Sequence, residues 1–238
     1  MRNTPIKQLF YPFAFLTRAI IDLVYPPLCL LCEVRLAEGQ EQICQPCLSS
    51  FVLLGKPHTE FSVPHDLYIH QAWALFDFDE NVKNLIHHLK YSQRRKPILR
   101  LLDHFEKSIL KQLPSEPYDL VLPIPLHPRK LRERGYNQVE DMARWLASRM
   151  GARVDQKIVV RSRYTQTQTK LNALERQKNL AGAFRIQGSP DLHNKRILLV
   201  DDVLTTGATS NTLAQVLEEQ GCSQIDLLTL STPRLSHA

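Results

Sequence analysis

Glycine is scarce, with 8 residues in 238. Each one therefore raises a question about local backbone geometry, because few can be casual. Long apolar runs are also missing. Residues 9–16 form an apolar stretch after Arg2 and Lys7, but Arg18 and Asp22 interrupt it and no small-residue cleavage site follows. That pattern argues against a secretory signal and is too short to span a bilayer. It reads as an amphipathic N-terminal helix over residues 1–25, broken or bent at Pro12. No internal repeat and no low-complexity tract is visible, and 43 % hydrophobic residues exclude a globally disordered chain. A cytoplasmic protein is expected. Disulfides are rare there, so the five cysteines need another explanation.

The length suits one α/β domain with a small appendage. The net charge is +6, which favours a polyanionic partner or substrate. The excess is uneven. Residues 83–134 hold 12 Lys/Arg against 5 Asp/Glu, whereas residues 191–238 hold 3 against 6. A basic block is thus separate from an acidic segment, though a basic block can also be a solvated face.

Four cysteines sit in two knuckles. Cys29 and Cys32 are followed, eleven residues later, by Cys44 and Cys47. Two such pairs can place four thiolates at the corners of a tetrahedron, the arrangement Zn2+ prefers over disulfide pairing or an iron–sulfur cluster. Few apolar side chains lie nearby, so metal would supply the stability of residues 26–66. All four positions are protein ligands, so the role is structural. Cys222 stands apart and reads as a buried thiol.

Strands and helices alternate over the rest of the chain. Strands are expected over 68–78, 119–124, 157–160, 196–200 and 225–230. Helices are expected from Asp79, with Val82, Leu85, Ile86 and Leu89 inward, and over 97–111, 137–150 and 209–220. Residues 161–170 read as a polar loop. The run Ile197, Leu198, Leu199, Val200 suits a strand buried on both faces of a parallel sheet, so an open parallel sheet flanked by helices follows.

The end of that strand carries the chemistry. Asp201 and Asp202 are followed by Thr205, Thr206, Gly207, Ala208 and Thr209, and then by a helix. Ligands bind at the carboxyl edge of such sheets. Unpaired N–H groups and the helix dipole favour an anion at the helix start. Three threonine hydroxyls add donors, and Gly207 lets the backbone approach a phosphate closely. Two carboxylates beside an anion site make sense if the ligand also carries hydroxyls, as a ribose phosphate does. The alternative is an acidic cap with no ligand.

This segment resembles the phosphoribosyl pyrophosphate (PRPP) motif of type I phosphoribosyltransferases. The resemblance implies that Asp201 and Asp202 contact the ribose hydroxyls, a catalytic position, and that 205–209 holds the 5-phosphate. Upstream, 123–127 lead into Arg129, Lys130, Arg132 and Arg134. Farther on come Arg161, Arg163, Thr165, Gln168, Leu171, Glu175, Arg176 and Asn179. Arg129, Arg132, Arg134, Arg161, Arg163 and Arg176 are candidates for a pyrophosphate or a DNA backbone, against the plainer reading of an exposed loop.

Together with Leu89-Lys90-Tyr91 and the segment 132–138, these motifs make the whole chain similar to the ComF/GntX family of competence proteins. Tyr136 stands where that family often has phenylalanine. The resemblance implies a type I phosphoribosyltransferase-like domain over 67–238. It also implies a role in natural transformation, with imported single-stranded DNA as a partner and a DNA translocase or other DNA-processing protein beside it. An active Mg2+-dependent phosphoribosyltransferase and a PRPP sensor without turnover stay open, because no acceptor pocket is legible.

Overall fold

The computed structural model describes residues 25–55, 67–91, 96–163 and 182–233. The N-terminal helix expected over 1–25 lies outside them except for Tyr25, as do Thr165, Gln168, Leu171, Glu175, Arg176 and Asn179.

In chain order the elements are α1 (Gln45–Ser49), β1 (Ala72–Asp77), α2 (Glu80–Tyr91), α3 (Lys96–His104), α4 (Glu106–Gln112), β2 (Leu120–Pro123), α5 (Pro128–Arg134), α6 (Glu140–Met150), β3 (Arg153–Val154), β4 (Val159–Arg161), β5 (Phe184–Ile186), β6 (Arg196–Val203), α7 (Ala208–Glu218) and β7 (Gln224–Thr232). Five strands form one sheet in the order β1-β7-β6-β2-β3. Every pairing in it is parallel. β4 and β5 pair antiparallel beside it.

Period-two alternation explains the two cores. Val121, Leu198, Val200, Leu228 and Leu230 face one side, with α2, α3 and α6. Leu120, Leu122, Ile197, Leu199, Ile225 and Leu227 face the other, with α7 and the β4–β5 pair. Both faces are covered, as an all-parallel sheet requires.

The Asp79 carboxylate caps α2 by accepting the Val82 amide at 2.8 Å, and Gly151 closes α6 in the left-handed region, φ 67°. The helix expected over 97–111 is two helices. Phe105 breaks it (φ −105°, ψ 11°) and packs its ring edge-on against Phe76 at 5.5 Å. Core packing there overrides helical continuity. The strand expected over 68–78 is shorter, because 68–71 make single bonds instead of a full ladder. Tyr68 N–H, for example, donates to Asn211 Oδ1 at 2.8 Å. Helix α5 was not expected: a histidine caps it, His127 Nδ1 accepting from Arg129 N–H at 3.1 Å, and Gly135 ends it at φ 78°.

The chain leaves β2 towards β3 on one side, then crosses to β6 on the other. The reversal opens a crevice between the carboxyl ends of β2 and β6, where α/β sheets bind ligands. At the opposite edge Asp226 is fully buried on β7 and accepts from Tyr118 Oη at 2.6 Å and Gln71 N at 3.0 Å, a structural anchor remote from that crevice.

Candidate phosphoribosyl site and metal centre

The four cysteine sulfurs converge. Their Sγ atoms all lie within 4.8 Å of one another, and Cys32 and Cys44 are 3.6 Å apart. A tetrahedron with Zn–S bonds of about 2.3 Å has S···S edges of roughly 3.8 Å, so the donors fit zinc. The Cys44 amide donates to Cys29 Sγ at 3.3 Å. Burial pushes the Cys29 thiol up, but the amides of Cys44, Cys32 and Leu31 outweigh it and bring it to about 6. Burial pushes the thiols of Cys44 and Cys47 up; the neighbouring sulfurs add to this at Cys47, while Cys47 opposes it at Cys44. Four anionic sulfurs this close repel one another unless a cation sits between them. The cysteines are a structural zinc site. Its surroundings belong to the main core: Ile43, Leu48 and Phe51 pack with Trp73 and Phe76 of β1. Leu53 bridges to Phe76, and the Leu54 amide donates to Leu75 O at 2.8 Å.

At the carboxyl end of β6, Asp201 and Asp202 are followed by a loop that Gly207 turns through φ 70° into α7. Gly207 is the N-cap and has no side chain to cap with. Its carbonyl is held from within the helix, by Asn211 N–H at 2.8 Å and Ser210 Oγ at 3.0 Å. The first amides of the eleven-residue α7 have no partner within its own helical ladder. Thr206 Oγ1 sits 3.4 Å from the Ala208 amide, Thr205 is exposed, and Thr209 is half-buried. A helix start of this kind suits an anion.

The carboxylates differ from each other. Asp202 Oδ2 meets Lys90 Nζ at 2.6 Å and accepts from Gln138 Nε2 at 2.8 Å. Gln138 Oε1 in turn accepts from Arg134 Nη1 at 3.1 Å. Burial pushes Asp202 up, but Lys90, Gln138 and Arg134 together hold it below the usual carboxylate range. Asp201 Oδ1 accepts the Asp202 amide at 2.8 Å. Burial, then the charge of Asp202, pushes Asp201 up to about 7. Lys130 joins the cation wall: burial and the charges of Arg161, Arg134 and Lys90 pull its ammonium down, while Asp202 draws it up. Arg161 lies over the Phe184 ring at 5.5 Å and is lowered by burial, with Asp201 opposing.

The Asp201 shift makes a stability prediction. Its folded value is raised above the unfolded one, so the folded state holds a proton the unfolded state has released. Stability from this group therefore falls as pH climbs from about 4 to about 7. Asp201→Asn removes that loss. The variant is expected to melt several degrees above the parent at pH 8 and nearly with it at pH 5, as scanning calorimetry will read; equal gains at both pH values would refute the cause.

Comparison with known proteins agrees with this geometry. Residues 138–234 match the phosphoribosyl transferase domain, and residues 20–59 match the double zinc ribbon domain. DNA utilization protein YhgH of Escherichia coli O6:H1 is 31 % identical over 226 residues, 86 % of this chain and 96 % of that protein. Competence protein F of Haemophilus influenzae is 34 % identical over 110 residues, 46 % of this chain and 48 % of that one. Competence protein ComFC of Bacillus subtilis is 24 % identical, covering 83 % and 91 %. The chain belongs to the ComF family.

In this ComF-family chain the expected site residues separate. Asp201, Asp202, Thr205, Thr206, Gly207, Ala208 and Thr209 occupy one strand–loop–helix unit. Arg134 and Arg161 turn towards its carboxylates. Arg129 does not: its Nε pairs with Glu133 on the exposed face of α5 at 3.1 Å. Arg132 and Arg163 are exposed to solvent, and Arg176 lies outside the described residues. Lys90 and Gln138 were not among the expected site residues. Lys90, Lys130 and Arg134 precede the matched phosphoribosyl transferase residues, so sequence outside that domain supplies most of the wall. The segment 132–138 assembles it. Tyr136 Oη donates to Leu89 O, and Asn137 Nδ2 donates to Ile124 O at 2.9 Å. It thereby clasps the end of α2 to the end of β2. Among the described residues no helix is long and apolar enough to cross a membrane.

Proposed function

We propose that this ComF-type protein acts in the uptake and handling of imported single-stranded DNA, and that its β6–α7 loop binds PRPP or a related phosphoribosyl ligand. The observation that carries the ligand is the juxtaposition of two carboxylates with a glycine-capped helix start on one strand end. A ribose 5-phosphate satisfies both: its phosphate accepts from the first amides of α7 and the threonine hydroxyls, while its 2′ and 3′ hydroxyls donate to Asp202 and Asp201. Lys90 and Lys130 then lie beside the carboxylates to meet further negative charge, such as a pyrophosphate accompanied by Mg2+.

The names of the relatives, competence protein and DNA utilization protein, support the DNA role, as does the block of 12 cations over residues 83–134. A DNA translocase or another DNA-processing protein is the natural macromolecular partner, and the cytoplasm the natural compartment.

Titration calorimetry tests the ligand. PRPP with Mg2+ is expected to bind one site per chain, with ribose 5-phosphate competing; no heat and no competition would remove the ligand from the proposal. Pyrophosphate release in the presence of bases or amines then separates a substrate from an effector. For DNA, contacts to phosphates predict an affinity that falls linearly with the logarithm of salt concentration, and a flat response would remove direct DNA binding.

A further inference from the structure

Tyr91 ends α2 with its side chain pointing away from the core, 67 % exposed. Its neighbour Lys90 turns the other way, to Asp202. An exposed aromatic ring at the last position of a helix gains little from burial, yet this one is held in place. Its backbone is fixed because Tyr136 bonds the carbonyl of Leu89. Its ring is backed by His87 one turn earlier, centroids 4.9 Å apart and planes tilted by 45°. The Arg134 guanidinium lies over the ring, 5.9 Å from its centroid. Arg134 is the same residue that reaches Gln138 and through it the carboxylates, so the ring stands at the rim of the phosphoribosyl site.

A fixed, exposed ring with a guanidinium at its face suits an unpaired base. The base stacks on the ring together with the guanidinium that lies over it, and the guanidinium charge draws a neighbouring phosphate. An apolar partner surface would not explain the guanidinium, and a duplex offers no free base face. We infer that Tyr91, backed by His87 and with the Arg134 guanidinium over its ring, is a stacking platform for an unpaired base of single-stranded DNA. The inference rests on the proposed DNA role and names the surface that performs it.

Fluorescence anisotropy with a labelled oligothymidylate tests it, on the full chain and across a salt series. Tyr91→Ala is expected to weaken binding about five- to a hundred-fold, with the slope against salt unchanged because no phosphate contact is lost. Tyr91→Trp is expected to keep or improve affinity, and His87→Ala to lose less than Tyr91→Ala. An oligonucleotide lacking bases at its centre should bind the parent more weakly and no longer distinguish it from Tyr91→Ala. Tyr91→Ala binding the intact strand as well as the parent does would overturn the platform and leave the DNA role standing. A parent protein that binds no single strand would overturn both.

Discussion

Removing zinc is expected to lower the melting temperature of the whole chain by about 10 °C or more, not merely to loosen the residues around the cysteines. The reason is a shared core. Ile43, Leu48 and Phe51 are 0, 2 and 4 % exposed, and the Phe51 ring packs on Phe76 of β1 at 5.5 Å. β1 is an edge strand of the main sheet. Its outer rim is covered where Leu53 and Leu54 pair with it. Structural zinc in small peptides is worth about 10–16 kcal/mol of apparent binding, and in a domain of this size each kcal/mol moves the midpoint by roughly 2–4 °C. Only part of the metal's energy need be felt by the sheet to give the expected shift. Loss of the module also uncovers an unpaired strand edge, which invites aggregation. Calorimetry with and without a chelator, and on Cys44→Ser, measures this directly. Hydrogen exchange adds the location, with residues 72–77 expected to lose protection together with 29–55. An unchanged midpoint after verified metal loss would show that the sheet does not depend on the module.

The structure departs from the sequence reading at particular residues, and the physical reasons differ. The strand ending at Val200 was legible because four apolar residues in a row can be buried only between two layers. The cysteine knuckles were legible because their chemistry is local. Helix α5 carries Pro128 at its start and Gly135 at its end, the usual asymmetric signals, but its seven residues hold four cations and no apolar periodicity. Had the helix been drawn, its period would have put Lys130 and Arg134 on one face and paired Arg129 with Glu133 on another, which is the division observed. Lys90 was not legible by any such rule. Its meeting with Asp202 depends on α2 lying beside the end of β6, and only the topology of the sheet decides that. Gln138 shares this difficulty, since an amide bridging Arg134 to Asp202 has no signature in spacing. The break at Phe105 was hidden for a third reason: a ring needed at Phe76 stopped a helix whose own sequence would have continued it.

The double variant Asp201→Ala with Asp202→Ala is expected to reduce PRPP affinity by at least about a hundred-fold while keeping the fold. Hydrogen bonds to ionised groups contribute about 1.5–3 kcal/mol each. Two lost bonds therefore amount to roughly 3–6 kcal/mol, or about a hundred- to twenty-thousand-fold in affinity. The fold should survive because the apolar part of β6, Ile197 to Val200, is untouched and fully buried. Lys90 loses its partner, but its side chain is 23 % exposed and can reach solvent by straightening. Burial and mutual repulsion already raise Asp201, so its removal relieves strain in the ligand-free protein, as expected where a site is tuned for binding at the expense of stability. The same variant also separates the two proposed surfaces. Taking two negative charges from beside Arg134, Lys130 and Arg161 leaves the cation wall less neutralised. Single-stranded DNA should then bind the double variant as tightly as the parent or more so at low salt, while PRPP does not bind. Parent-like PRPP affinity in a folded double variant would sink the assignment of the carboxylates. Loss of both ligands together would mean that DNA and the phosphoribosyl group share one site rather than meeting at its rim.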